Sequence, residues 1–142
     1  MDRTLLARLA LSSLCALQGI ATVAIDFNRT HATNPLWPGH ARFHVVWQTL
    51  TVALLSFVEL VLIWSGRTDG FYLASLLAAL SPIAFLVAFS ARRVFGGTLS
   101  DPNGIPPARV NLLGAVRSFD MNLVAVVVAL IALALIDAIY AV

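Results

Sequence analysis

The sequence predicts an all-α integral membrane protein, a bundle of four helices that run alternately up and down. Of its 142 residues, 60% are hydrophobic and only 11% are charged, whereas a soluble domain carries roughly 25% charged residues. The apolar residues form four blocks, each close to the about 20 residues that a spanning helix needs. Runs such as Leu123–Ile136 are apolar on every face, whereas the strands of a membrane barrel alternate apolar and polar residues. In lipid the backbone must satisfy its own hydrogen bonds, which favours helices.

The blocks predict a single transmembrane domain, 1–142, with helices at about 5–25, 43–64, 71–93 and 119–141. The first block could be a secretory signal, but no small-residue cleavage site follows it cleanly, so we predict an uncleaved span. The short connection 65–70 predicts that helices two and three are antiparallel neighbours.

Two longer connections remain, a first loop at 26–42 and a third loop at 96–117. The third loop is rich in glycine and proline turn signals, including Asp101-Pro102 and Asn103-Gly104. We therefore expect it to lie outside the bilayer without a regular element. Pro82 falls within helix three, where it should kink the helix and free the carbonyl group near Ala78.

All nine basic residues are arginine, and the net charge is +2. Three of them belong to the end of the bundle that holds both chain termini, which we call the terminal end. Six belong to the opposite, first-loop end: Arg29, Arg42, Arg92, Arg93, Arg109 and Arg117. The excess of arginine predicts cytoplasmic first and third loops in a multi-pass protein of a bacterial inner membrane. No basic stripe with interleaved aromatic residues indicates a nucleic-acid partner.

Polar residues concentrate at two depths. Near the first-loop end are Asp26, Asn28, Arg29, His31, Asn34, His40, Arg42, His44, Gln48, Asp120 and Asn122. Nearer the terminal end are Arg8, Glu59 and Asp137. We expect Arg8 to neutralise Asp137. Glu59 lies deeper, and an unpaired carboxylate there would be protonated or would bind a cationic group.

Helix two connects the two depths. His40 and His44 are four residues apart, so a helix that starts near Gly39 places both on one face. Gln48 and Glu59 continue that face, which predicts a polar track along the helix. Three interpretations stay open: a metal ion shared by the histidines, acid/base chemistry on a lipidic substrate, or structural capping of the helix.

In the metal interpretation, His31 or Asp26 could be a third ligand. The His-x-x-x-His spacing is similar to that of membrane hydroxylases and desaturases. Those di-iron enzymes use eight or more histidines, whereas this chain has three. A di-iron centre is therefore excluded, and a single ion at His40 and His44 is the weaker alternative.

We predict that a small hydrophobic molecule, of lipid, isoprenoid or sterol type, binds in an intramembrane pocket and is transformed there by acid/base chemistry, without a cofactor. An isomerase- or cyclase-type enzyme fits this prediction. The candidate catalytic residues are Asp26, His31, His40, His44 and Glu59, and the candidate ligand-binding residues are Asn34, Trp37, Gln48 and Asn122. The alternatives are a non-catalytic scaffold or subunit that forms a homo-oligomer, with helix four as the interface, and a small dimeric transporter.

The block Asn-Pro-x-Trp-Pro-x-His-Ala-Arg-Phe-His at 34–44, which follows Asp26 and His31, resembles the signature of short four-helix membrane proteins from bacteria and fungi (DUF6640). That resemblance implies no established activity. The chain is also similar to the EXPERA domain of sterol isomerases and sigma-2-receptor-like proteins. The likeness rests on an acid ending helix one, here Asp26, a second acid on helix two, here Glu59, and a proline in helix three, here Pro82.

The EXPERA likeness implies that the two acids face an apolar pocket for a sterol or an amine. The sequence departs from that family in three ways. Glu59 comes late in helix two, the pair of histidines is additional, and the first loop is shorter.

Overall fold

A computed structural model describes residues 2–67, 69–100 and 104–142 of the protein. The helices are α1 (Arg3–Asp26), α2 (Gly39–Trp64), α3 (Gly70–Ala91) and α4 (Met121–Ala141). All four are long and apolar enough to cross a membrane. The predicted all-α membrane bundle of four helices is therefore confirmed, and its outer surface contacts the lipid bilayer.

Each helix packs against the helices before and after it in the chain, and α4 closes the ring by packing against α1. Contact across the diagonal between α1 and α3 is slight. Short connections between antiparallel neighbours produce this arrangement. The terminal end therefore holds both chain termini and the α2–α3 connection. The first-loop end holds the other two connections.

The core is narrow and is built largely from small side chains. On α1 the buried residues Ala7, Leu11, Cys15 and Gly19 recur every four positions, so they form a single inward stripe. At the terminal end, the rings of Phe71 and Tyr140 stack with 3.7 Å between their centroids and join α3 to α4. The apolar side chains on the outside of the helices stay exposed, as expected of surfaces that face lipid.

Gly19 allows α1 and α2 to approach closely. A Cβ atom there would lie 2.8 Å from the Ser56 Oγ and 2.9 Å from the Ser56 Cβ. Small residues at helix interfaces permit such backbone approach in membranes. Gly70 plays the same part at the α2–α3 connection, where an added Cβ would lie 2.5 Å from the Leu62 carbonyl oxygen.

Helix α3 continues through Pro82, which has no N–H to donate to the Ala78 carbonyl oxygen. The side chain of Gln18 on α1 donates to that oxygen from Nε2 at 3.4 Å. The carbonyl group that the proline frees is thus satisfied by a neighbouring helix, as is common in membrane bundles. A kink at Pro82 stays a prediction.

Helix α2 begins at Gly39, four residues before the predicted start at 43. Pro38 precedes it with an extended backbone, and its carbonyl oxygen accepts the Arg42 N–H at 3.1 Å. Helix α4 begins after Asp120, whose side chain accepts the Leu123 N–H at 2.9 Å as an N-cap.

The expectation that the third loop lacks a regular element is wrong. Strands β1 (Ala108–Leu112) and β2 (Ala115–Phe119) form an antiparallel hairpin. Leu113 and Gly114 connect them with φ angles of 52° and 86°, the backbone of a two-residue type I′ turn. Polar and apolar residues alternate along β1 and support the strand. The turn signals at Asp101-Pro102 and Asn103 lie outside the described residues.

Candidate functional site

At the first-loop end, Asp26 closes α1 and reaches α2. Its Oδ2 accepts a hydrogen bond from the Thr49 hydroxyl at 3.4 Å, and its backbone carbonyl oxygen accepts the Ala32 N–H at 2.9 Å. His31 lies within hydrogen-bond distance of the Thr30 hydroxyl, with Nδ1 2.8 Å from Oγ1. These contacts fold the first loop back over the ends of the two helices.

Asn34 and Trp37, both predicted to bind ligand, also belong to this folded loop. Asn34 is buried, and its Oδ1 accepts the Leu36 N–H at 3.0 Å in an Asx turn around Pro35. The Trp37 ring packs edge-on against His31, with 5.5 Å between centroids. Both side chains therefore help to shape the folded loop.

The histidine pair lies on the outer surface of α2. His40 and His44 are both exposed, and their Nε2 atoms are 3.0 Å apart, with the rings nearly perpendicular. Their spacing on one face agrees with the prediction from the sequence. In the described parts of the chain, no three His, Cys, Asp or Glu side chains group as metal ligands.

The predicted polar track along α2 is split. Gln48 is exposed like the histidines, whereas Glu59 lies on the buried face of the helix. His44 and Glu59 are fifteen residues apart, which is about 22 Å along a helix axis. A small molecule held by the histidine pair is therefore out of reach of Glu59.

Asn122, the last predicted ligand-binding residue, lies in the first turn of α4 and is exposed. Neighbouring Asp120 is occupied as the N-cap. The residues predicted from the sequence thus do not form one site. They divide into the folded first loop, the outer surface of α2 with the histidine pair and Gln48, Asn122 on α4, and Glu59 near the terminal end.

Glu59 is the most deeply buried of these candidates. Only 2% of the residue is exposed. Its carboxyl group lies beside the Cys15 thiol on α1. Its Oε2 atom is buried and has no hydrogen-bond partner among the described residues. A carboxyl group with spare hydrogen-bonding capacity therefore lies inside the bundle.

Asp137 on α4 lies at a similar depth. Its Oδ2 accepts a hydrogen bond from the Ser75 hydroxyl on α3 at 2.9 Å, while its Oδ1 is buried without a partner among the described residues. The predicted ion pair with Arg8 is wrong, because no nitrogen of Arg8 lies within 4 Å of that carboxylate. Ser75, and not Arg8, is the partner of Asp137. The Nε of Arg8 is buried and has no hydrogen-bond partner among the described residues.

The four helices each contribute to this level of the bundle. Ser75 lies five residues into α3, and Glu59 and Asp137 lie five and four residues before α2 and α4 end, so these three are about 7 Å inside the ends of their helices. Helix α1 extends past α2 at this end, because the Trp64 Nε1 at the end of α2 donates to the Ser12 Oγ at 3.0 Å. On α1, Cys15 is therefore level with Glu59, and Arg8 lies about 10 Å nearer the start of the chain. We call Cys15, Glu59, Ser75 and Asp137 the acidic cluster.

Sequence reasoning missed Cys15 and Ser75 as members of the acidic cluster. The recurrence of small residues on α1 and the position of Ser75 one turn inside α3 were the available signals. Neither residue is ionised or unusual in a membrane helix, so only the packing of the four helices reveals their partners.

A shallow groove lies elsewhere, open on the outer surface of α3. It is lined by Ile83, Leu86, Val87, Ser90 and Ala91. None of the predicted catalytic or ligand-binding residues contributes to it. The groove belongs to the first-loop end of α3, away from the acidic cluster.

The ion pair in the described structure joins Arg67 and Asp69 in the α2–α3 connection, with 2.8 Å between Nη2 and Oδ2. The hydrogen bond from the guanidinium group lowers the pKa of the Asp69 carboxyl group below its ordinary value. Both side chains are exposed to water, so the pair contributes little to stability.

Comparison with protein-family models, with curated proteins and with solved structures finds no match for this chain. The resemblances to the DUF6640 and EXPERA families therefore stay predictions.

Proposed function

We propose that this integral membrane protein binds a small hydrophobic molecule from the bilayer and exchanges a proton with it at the Glu59 carboxyl group. The observation that carries the proposal is the unpartnered Oε2 of a carboxyl group that is almost fully buried. Ionisable groups inside membrane spans are costly, and they commonly mark a substrate or proton pathway.

The surroundings of Glu59 suit acid/base work. Proton transfer needs a group that can gain or lose a proton without water competing for it. The carboxyl group lies beside the Cys15 thiol, and Cys15 belongs to the apolar core of the bundle. A ligand with a hydroxyl or amine group would supply the hydrogen bond that Oε2 lacks.

Asp137 offers a second proton-accepting group at the same level. Because Ser75 occupies only one of its oxygens, the Asp137 carboxyl group also keeps hydrogen-bonding capacity for a ligand inside the bundle. Of the candidate catalytic residues, Glu59 is the one that would exchange the proton with the ligand.

The test is carbodiimide labelling in nanodiscs, because carbodiimides modify protonated carboxyl groups in apolar surroundings. We expect labelling at Glu59, located by mass spectrometry and absent in Glu59→Gln. A long-chain alkylamine, an isoprenoid alcohol or a sterol should slow it by about tenfold, as expected when a ligand occupies most of the sites.

The matched control is the double variant His40→Gln/His44→Gln, which changes polar residues on the same helix but about 22 Å away. Labelling and protection should match those of the unsubstituted protein. If none of the three ligand classes protects Glu59, the proposed function is wrong. Protection that is lost in the histidine variant would instead assign the ligand to the first-loop end.

A non-catalytic subunit is the second candidate, because α4 is the least buried helix. Only Leu133 and Ile136 of α4 are buried, and its outward face is almost entirely Val, Leu, Ile and Ala. A second copy or another membrane helix could pack there. This candidate predicts that no small molecule protects Glu59 and that substitutions on the outer face of α4 change the size of the assembly.

A further inference from the structure

The hairpin β1–β2 projects from the bundle, with its side chains exposed except for Ala108, which is half-buried. A two-stranded hairpin is marginally stable in water unless its apolar face is covered. Here the apolar residues are uncovered, and Leu113 at the turn is 106% exposed. Another surface is therefore needed to cover the hairpin.

The register of the hairpin separates two faces. Because Val110 pairs with Arg117 and Ala108 with Phe119, one face carries Ala108, Val110, Leu112, Ala115, Arg117 and Phe119. The other face carries Arg109, Asn111, Val116 and Ser118. The first face is apolar apart from one arginine, and the second is mostly polar.

The position of the hairpin in the chain limits which surfaces it can contact. Phe119 ends β2, and α4 begins at Met121. A strand that ends two residues before a membrane-spanning helix begins lies at the bilayer surface, because two residues reach at most about 7 Å. The nearest extended apolar phase is therefore the lipid headgroup and acyl-chain boundary.

The charge of the hairpin indicates the kind of lipid. Between residues 108 and 119 there are two arginines and no acidic residue. Arg92 and Arg93 directly follow α3 at the same end of the bundle. An arginine on an apolar face can bury its stem and extend its guanidinium group to phosphate oxygens. Positive charge near a membrane surface favours anionic lipids.

The backbone of Leu113 gives independent support. A leucine with φ of 52° is in the left-handed region, which glycine or asparagine occupies at lower cost. In water a fully exposed leucine gains nothing for that cost. Inserted into the acyl-chain boundary, the same side chain is stabilised by leaving water.

We propose that the hairpin Ala108–Phe119 lies on the bilayer as a membrane-surface element, with Leu112 and Leu113 in the acyl-chain boundary and Arg117 on the phosphates of anionic lipids. Arg109, on the opposite face, is attracted by the surface potential of the same lipids. This interaction is independent of any ligand at Glu59.

The experiment uses the full chain in nanodiscs of phosphatidylcholine, with and without phosphatidylglycerol. A Leu113→Cys variant carries an environment-sensitive fluorophore, and the buried Cys15 keeps background labelling low. We expect quenching by lipids brominated on the acyl chain, stronger with phosphatidylglycerol. Hydrogen exchange of the hairpin amides in the unsubstituted protein should slow in parallel, which checks the result without a label.

Arg109→Gln/Arg117→Gln should remove the preference for phosphatidylglycerol. Taking about 1 kcal/mol for each arginine, the ratio of bound to detached hairpin should fall about thirtyfold. Arg3→Gln/Arg67→Gln removes the same charge from the terminal end and should leave the preference unchanged. The absence of quenching in both lipids would overturn the proposal, and equal quenching in both would overturn its anionic-lipid part.

Discussion

Gly19 shows how a single residue sets the distance between two helices. The α1–α2 interface is close at this point because the glycine has no Cβ to meet Ser56. The same interface carries Cys15 one turn earlier on α1 and Glu59 about one turn later on α2. Packing at Gly19 is therefore coupled to the geometry of the acidic cluster.

We predict that Gly19→Ala lowers the midpoint of unfolding in detergent by overpacking, at a cost of about 1–3 kcal/mol. The matched control is Gly39→Ala, where the nearest atom to an added Cβ is the Nη2 of Arg42 at 3.9 Å. Ser56→Gly removes both atoms that the new methyl group would strike. The double variant should regain stability relative to the sum of the single changes, and simple additivity would contradict the prediction.

Gln18 and Ser75 illustrate a second kind of residue, polar side chains that complete the hydrogen bonds of a neighbouring helix. Gln18 donates to the carbonyl group that Pro82 leaves free, and Ser75 donates to Asp137. Within lipid no water can replace these donors. Gln18 also keeps a buried Oε1 without a partner among the described residues, but in the acidic cluster the unpartnered atoms belong to carboxyl groups, which can exchange protons. We therefore assign the chemistry to the acidic cluster.

Among the elements, α2 carries two unlike polar regions. Its first turns present histidines on the outer surface, and its last turns bury Glu59. A helix rotates each residue by 100°, so an approximate match in spacing does not ensure that distant residues share one environment. Neighbouring helices cover α2 at Glu59 but leave it exposed at His44, so the two residues lie in different environments.

The hairpin depends on an unusual backbone conformation at its turn. Gly114 has a φ of 86°, a conformation that a residue with a Cβ adopts at a cost of about 1–2 kcal/mol. We predict that Gly114→Ala speeds hydrogen exchange of the Val110 and Arg117 amides by roughly fivefold or more. Ser118→Ala, on an exposed strand position, should not. Unchanged exchange in Gly114→Ala would show that the type I′ turn is not what holds the hairpin.

At the scale of the whole molecule, the even number of spans places the first and third connections on the same side of the membrane. The positive-inside rule predicts that this side is the cytoplasm. Anionic lipids give the cytoplasmic leaflet a negative surface potential. A hairpin that binds such lipids through its arginines would therefore also lie on the cytoplasmic side.

We predict that Ser65→Cys reacts with a membrane-impermeant maleimide in intact cells, whereas Ser100→Cys reacts only after the cells are permeabilised. Both positions are exposed, and they lie in the second and third connections. The unsubstituted chain is the control, because Cys15 is buried and should not react. The reverse pattern of labelling would invert the orientation.

The sequence by itself determined the four spans, their alternating directions and the concentration of polar residues at two depths. It could do so because lipid requires long apolar helices, and short connections require antiparallel neighbours. The spacing of the histidines and the carbonyl group freed by Pro82 could also be predicted, since both follow from helix geometry alone.

Only the tertiary structure decided which polar residues meet. The exposure of His40 and Gln48, the burial of Glu59 against Cys15, and the choice of Ser75 as the partner of Asp137 depend on which helix covers each face at each depth. Such contacts join residues 44 and 62 positions apart in the chain. Local periodicity carries no information about them, because the relative rotation of packed helices arises from the whole set of side chains between them.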